Sequence, residues 1–141
     1  SIIVKWLKNN TGKHEVILMP PMGHTFLSKI QLQSQRAVYF SHKNVPYSKN
    51  AIFEWAHRLE KLINRNIEAH LKSSDIFKAW KNNSAQNIET IAMQNNICFI
   101  IDVDLAQHNF SGKIVLQEEV NNFVYLLWKL DYCKLDQLIN R

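Results

Sequence analysis

Apolar residues are concentrated in one short run in the second half of the chain, Ile97–Ile101, which follows the polar residues Gln94–Asn96. A short run without a polar face is typical of a strand that is covered on both sides and is therefore central in its sheet. The run leads into Asp102 and Asp104, and a spacing of two residues points both carboxylates to one face of a strand. Such acids either hold a divalent metal or end a strand in water. We predict a buried central strand that ends in two acids.

Shorter patterns near the N-terminus predict four more strands. These are Ile2–Leu7, Glu15–Met19, Phe26–Leu32 and Arg36–Ser41. The third alternates apolar and polar residues, as a half-exposed strand does. The second stops at Pro20 and Pro21, because proline cannot donate a hydrogen bond into a ladder.

The clearest helical pattern begins after Ser48, a predicted N-cap, and extends to about Leu71. Its apolar residues form one stripe, and the opposite side carries cations. The cations are Arg58, Lys61, Arg65 and Lys72. A second short helix, Ile76–Lys81, adds Lys78 and Lys81. These side chains form either a solvated surface or a ridge that follows the phosphates of a nucleic acid.

After these helices the pattern predicts one strand before the central strand in the chain, Ile88–Met93, and one after it, Lys113–Gln117. The last segment has two interpretations. Glu118–Ile139 is expected to form one long helix, and the alternative is a hairpin turn at Asn121 and Asn122 followed by a strand, Phe123–Leu130.

Length and composition fit one domain. The chain has 141 residues, of which 46% are hydrophobic, enough to bury a core. We predict a single α+β domain over residues 1–141 with a mixed β-sheet. Residues 1–45 would form a β-rich part, and residues 46–141 would run helix, strand, strand, strand, helix. The elements are then N-terminal strands, a long basic-faced helix, three central strands and a C-terminal helix.

Charge is unevenly distributed along the chain. Residues 1–85 contain 13 Lys and Arg against 5 Asp and Glu, whereas residues 86–141 contain 4 against 7. A basic half beside an acidic half suits a polyanion on one face and a carboxylate site or a second protein on the other.

The two cysteines, Cys98 and Cys133, lie in apolar contexts without CxxC spacing. This pattern predicts two buried free thiols and a cytoplasmic location. No apolar run reaches the roughly 18 residues that a bilayer requires, so no membrane partner is expected. The six histidines show no metal-ligand spacing, and zinc is not expected.

From Ser48 onward, the predicted order of helix, strand, strand ending in acids, strand and helix resembles the core of the restriction-endonuclease-like, PD-(D/E)XK, superfamily. The resemblance implies catalytic roles for Asp104 at the strand-end aspartate position, Gln117 at the [EQ] position and Glu60 as the helix glutamate. Glu119 stands where the family has lysine, and no proline precedes the acid. The implied chemistry is metal-assisted phosphodiester hydrolysis.

Mg²⁺ or Mn²⁺ would be the cofactor of such a site, because both prefer carboxylate oxygens. The predicted ligands are Asp102, Asp104 and Glu118, with Glu119 or Glu60 as a further carboxylate. Without that metal site, no cofactor is expected.

We therefore predict a nucleic-acid-binding domain of a bacterial mobile-element or defence system, with DNA rather than RNA as the partner. It would be a metal-dependent nuclease or an inactive relative, and the sequence leaves open whether it is an enzyme. The alternative is a non-enzymatic interaction domain, such as an assembly subunit or an immunity-type partner. Its protein partner, or a second copy, would bind the apolar segment Phe123–Trp128.

Overall fold

The computed structural model describes residues 1–42, 45–67 and 71–133. The helices in these ranges are α1 (Ile2–Asn10), α2 (Thr25–Ser34), α3 (Lys49–Ile63), α4 (Ser73–Asn82) and α5 (Ala85–Gln94). The strands are β1 (Val16–Leu18), β2 (Ala37–Val38), β3 (Phe99–Val103), β4 (Gly112–Val120) and β5 (Phe123–Leu130). A short 3₁₀ helix, Asp104–Ala106, follows β3.

The strands form one mixed sheet in the order β2-β1-β3-β5-β4. β1 is parallel to both β2 and β3, whereas β5 is antiparallel to β3 and to β4. The predicted class, a single α+β domain with a mixed sheet, is confirmed. All five residues of β3 are buried, and β3 is the middle strand. The prediction of a buried central strand is therefore also confirmed, although the strand begins at Phe99.

Helices cover both faces of the sheet. On one face, Trp6 of α1 meets Phe99 edge to face, with ring centroids 5.6 Å apart, and Phe26 of α2 packs on Tyr125 at 4.6 Å. On the other face, Trp80 of α4 lies against β3 and is completely buried. Among the described residues, no helix combines the length and the apolar character needed to cross a bilayer.

Two of the four predicted N-terminal strands are wrong. Ile2–Leu7 lies in α1 and Phe26–Leu32 lies in α2. α2 buries Phe26, Leu27 and Ile30, a helical spacing, and Leu32 is 75% exposed. The alternating pattern was misleading because residues four apart share a face in both a helix and a strand. The other two predicted strands contain β1 and β2.

The segment Ile88–Met93 is also helical, within α5, so three helices lie between β2 and β3. The side chain of Ser84 accepts a hydrogen bond from the backbone N–H of Asn87 at 3.0 Å and caps this helix. At the other end of the sheet, the hairpin interpretation is the right one. Asn121 and Asn122 have φ of 51° and 68°, as a tight hairpin turn requires.

The helix predicted from Glu118 is therefore wrong up to Tyr132, and residues 134–141 lie outside the described part of the chain. β5 is flanked by β3 and β4, and Tyr125, Leu126, Leu127 and Trp128 are buried. Phe123 and Val124 are half-buried and pack against this core, so the segment offers little exposed apolar surface, and the alternative function of a protein-interaction domain stays a prediction.

The prediction of free thiols is wrong, because Cys98 and Cys133 form a disulfide with a Cα–Cα distance of 5.7 Å. Both cysteines have apolar neighbours in the sequence, but their proximity to each other results from the tertiary structure and cannot be read from those neighbours. The bond ties the segment after β5 to the residue before β3. A disulfide is typical of proteins that mature in an oxidising compartment, so the basis for a cytoplasmic location is removed.

Candidate functional site

Asp102, the predicted metal ligand that lies on β3, is 1% exposed, and both of its carboxylate oxygens contact protein groups. Its Oδ1 accepts hydrogen bonds from Trp80 Nε1 at 2.9 Å and from the backbone N–H of Val103 at 2.8 Å. Its Oδ2 lies 2.7 Å from Nδ1 of His108. The strand-end carboxylate therefore forms a buried link between β3, α4 and the loop after the 3₁₀ helix.

His108 carries the positive side of this link. Its Nε2 lies 2.9 Å from the carbonyl oxygen of Asn83, so each ring nitrogen faces an acceptor, an arrangement that favours the imidazolium form. Burial by itself lowers the pKa of His108. The hydrogen bond and the charge of Asp102 raise it, as do the backbone carbonyl groups of Asn83 and Trp80, and together these contacts outweigh burial. The net result is a raised pKa.

The other predicted carboxylates point elsewhere. Oε1 of Glu118 accepts hydrogen bonds from Ser1 Oγ at 2.7 Å and from the backbone N–H of Ile3 at 3.1 Å, at the beginning of α1. Glu60 accepts from the backbone N–H of Ile67 at 3.4 Å. Asp104 is exposed at the beginning of the 3₁₀ helix, and so lies outside the buried link.

Gln117 and Glu119 lie on β4, opposite Leu126 and Val124 of β5. Since neighbouring residues of a strand point to opposite faces, Glu118 and Glu119 are on different faces of the sheet. In residues 1–42, 45–67 and 71–133, no group of three or more His, Cys, Asp or Glu side chains is placed to hold a metal ion. Asp102 faces α4 and Glu118 faces the beginning of α1, so the structure does not bring these two predicted ligands together, and a Mg²⁺ or Mn²⁺ site stays a prediction.

The predicted cationic residues separate into two groups. Arg58 is turned towards the segment after β2: its Nε donates to Glu54 at 3.0 Å, its Nη1 donates to the carbonyl oxygen of Tyr39 at 2.8 Å, and its guanidinium lies 4.9 Å from the Tyr39 ring centroid. The Arg58 side chain is therefore not part of the predicted ridge of cations. The remaining cations are exposed, and they are Lys61, Arg65, Lys72, Lys78 and Lys81.

A cleft of about 350 Å³ lies between the end of α3 and one side of α4. We name it the α3–α4 cleft. Its lining residues are Ile63, Asn64, Arg65, Asp75, Lys78, Ala79, Asn82 and Asn83. Asp75 within it accepts a hydrogen bond from the backbone N–H of Lys72 at 3.0 Å and so serves to cap α4. The cleft therefore brings together cations and amides from the segment after α3 and from α4 with its C-cap.

A second cavity, of about 310 Å³, lies between the segment that follows β2 and the first half of α3. We name it the Trp55 cavity. Its lining residues are Gln31, Val38, Tyr39, Phe40, Ser41, Pro46, Ala51, Glu54, Trp55 and Arg58. Because β2 is parallel to β1, this cavity lies at the carboxyl end of the parallel strands, where open α/β sheets commonly bind ligands.

Part of the chain matches a known family model, described as a domain of unknown function (DUF6798), over residues 1–62. This range includes every residue that lines the Trp55 cavity and ends just before the α3–α4 cleft. No curated protein matches the chain. A solved structure described as a protein in the NADB-Rossmann superfamily from Streptococcus agalactiae is 11% identical, and the match covers 92% of this chain and 68% of that chain with a TM-score of 0.32.

Sequence reasoning missed His108 and the Trp55 cavity. His108 is six residues from Asp102 in sequence, a spacing typical of no site, and the contact depends on the loop folding back under α4. The cavity depends on α3 lying next to β2, and no local pattern reveals that contact. One sequence signal could have pointed to the cavity. Glu54, Trp55 and Arg58 combine an aromatic ring with opposite charges within two turns of one helix.

Proposed function

We propose that this domain binds nucleic acid, with DNA as the first partner to test, through the exposed cations around the α3–α4 cleft. The observation that carries the proposal is that cations from two separate segments border one cleft. Arg65 follows α3 and Lys78 lies on α4. Cations placed on both sides of a groove attract a phosphate backbone and release its counterions.

The cations next to the cleft extend this surface. Lys61 is exposed near the end of α3, and Lys72 and Lys81 are exposed at the two ends of α4. Two cations therefore line the cleft and three lie on the segments next to it, and these are five of the six cations that the sequence suggested. Contacts from lysine and arginine to phosphates position a protein on nucleic acid without reading its sequence. We expect binding without strong sequence preference.

Stacking on Trp80 is not part of the proposal, because its side chain is completely buried against β3. Hydrolysis is also left out, since Asp102 and Glu118 are engaged by protein donors. The proposed activity is binding alone, with electrostatic contacts as its main source of affinity.

The test is fluorescence anisotropy with labelled duplex DNA over a salt series. If all five cations meet phosphates, the slope of log K against log salt should be about −4 to −5, from a contribution of roughly −0.9 per contact. The test variant is Lys61→Ala/Lys78→Ala, which removes one exposed cation from each side of the cleft.

The matched control is Lys5→Ala/Lys8→Ala, which makes the same change in net charge on α1. The test variant should bind more weakly and lose roughly two units of slope, whereas the control should lose much less. Equal loss in both variants would mean that net charge alone drives binding. That result, or binding that does not depend on salt, would overturn the proposal.

A further inference from the structure

The Trp55 cavity is separate from the proposed nucleic-acid surface and has a different chemistry. Its lining combines aromatic and apolar side chains with Gln31, Ser41 and one ion pair. Ligand sites are typically concave and largely apolar, with a few fixed polar groups that orient the ligand, and their volumes begin at about 300 Å³. With about 310 Å³, this cavity suits a small ligand.

The aromatic wall of the cavity is held in place by contacts to the segment after β2. Trp55 Nε1 donates to the carbonyl oxygen of Ser41 at 3.0 Å. The Trp55 ring also packs on Phe40, with centroids 5.0 Å apart and planes tilted by 34°. The indole is half-buried, so part of it remains accessible from the cavity.

The polar border is equally fixed. Arg58 binds Glu54 through Nε and the Tyr39 carbonyl oxygen through Nη1, and its guanidinium lies over the Tyr39 ring. A guanidinium has five N–H donors and a carboxylate has two oxygens, so both groups retain hydrogen-bonding capacity beyond these contacts. The side chains are 38% and 60% exposed, and that capacity is accessible to a ligand.

The charge of this border discriminates between ligand classes. Because Glu54 neutralises Arg58, the pair offers adjacent donors and acceptors without a net positive charge. A phosphate or carboxylate would be repelled by Glu54, whereas neighbouring hydroxyl groups can donate to the carboxylate and accept from the guanidinium. An apolar face of the same ligand can pack on the indole.

We propose that the Trp55 cavity binds a neutral sugar ring, with its hydroxyl groups on Glu54 and Arg58 and its C–H face on Trp55. A pyranose combines these features in one molecule: hydroxyl groups around its edge and an apolar face of axial hydrogens. The site is a binding site, and no chemical step is assigned to it.

The test is an NMR titration of the ¹⁵N-labelled domain with D-glucose, D-galactose, D-mannose and N-acetyl-D-glucosamine, with inorganic phosphate as a separate probe. At least one sugar should shift the Trp55 indole N–H signal in a saturable way, and phosphate should not. The variant Glu54→Gln should weaken sugar binding about tenfold, the effect of losing one charge-assisted hydrogen bond.

The matched control is Glu119→Gln, which makes the same change at an exposed position on β4 and should bind as the parent does. Both substitutions are at exposed positions, and the signal dispersion in the same spectra reports whether the fold is retained. The proposal is overturned if none of the four sugars gives a saturable shift at the indole, if Glu54→Gln binds as tightly as the parent, or if phosphate alone shifts that signal.

Discussion

The buried pair of Asp102 and His108 makes a strong prediction about stability. Their side chains are 2% and 4% exposed, so neither charge is screened by water. Replacing His108 by Leu leaves the Asp102 carboxylate buried without its counter-charge, and such a change typically costs about 3–5 kcal/mol of unfolding free energy. The double variant Asp102→Asn/His108→Leu should recover part of this loss, because no buried charge remains.

The same pair predicts a pH dependence. His108 has a folded-state pKa above its ordinary 6.5 because Asp102 outweighs burial. The stability from this proton is fully present below the unfolded pKa and is lost as the pH rises through the folded pKa. His24 has the opposite sign, since burial lowers its pKa. Subtracting the His108→Leu curve from the parent curve cancels His24, which both proteins contain.

The measurement is urea unfolding followed by circular dichroism, at pH values from about 6 to about 9, where histidines titrate. The free-energy difference between parent and His108→Leu should be largest at the acidic end and shrink as pH rises. The control His14→Leu changes an exposed histidine and should alter stability by less than about 0.5 kcal/mol. A His108→Leu cost of less than about 1 kcal/mol, or a difference independent of pH, would refute this account of the pair.

Three further substitutions test the packing. Ile100→Ala, at a completely buried position of β3, should cost about 2–5 kcal/mol in urea unfolding, and a cost below this range would argue against a central strand. Arg36→Lys keeps the charge but loses donors to the carbonyl oxygens of Lys8 and Thr11. The unfolding free energy should fall by about 1–3 kcal/mol, and an unchanged urea midpoint would contradict this expectation. Cys98→Ala/Cys133→Ala opens a loop spanning 35 residues, which should cost about 3–4 kcal/mol, and alkylation before and after reduction, read by mass spectrometry, checks the bond in the parent.

The central part of the fold was predictable from sequence because its signal is local. β3 is marked by consecutive apolar residues. The β4–β5 hairpin was only the alternative to the predicted helix, although Asn121 and Asn122, whose side chains tolerate positive φ, mark its turn. The N-terminal helices were not predictable in the same way. Ile3, Val4 and Leu7 are the buried residues of α1, and a segment this short satisfies both helical and strand periods.

The candidate sites depended on contacts that no local pattern contains. Asp102 faces inwards because its carboxylate binds Trp80 and His108. These partners lie 22 residues before it and six residues after it in the chain, too far for a local pattern to reveal the contacts. Arg58 shares a helical face with other cations in a projection, but Tyr39 and Glu54 turn it towards β2. Charge composition therefore predicted the cationic region, and only the tertiary contacts show which cations border a cleft.

The most direct test of the proposed function is a map of where DNA binds. The ¹⁵N-labelled domain is titrated with a short duplex, and backbone amide shifts are followed residue by residue at low salt and again with added salt. We predict shifts at Lys61, Arg65 and along α4 that decrease as salt is added. Shifts confined to α1 or to the Trp55 cavity, or no shift at low salt, would contradict the assignment of the α3–α4 cleft as a nucleic-acid-binding surface.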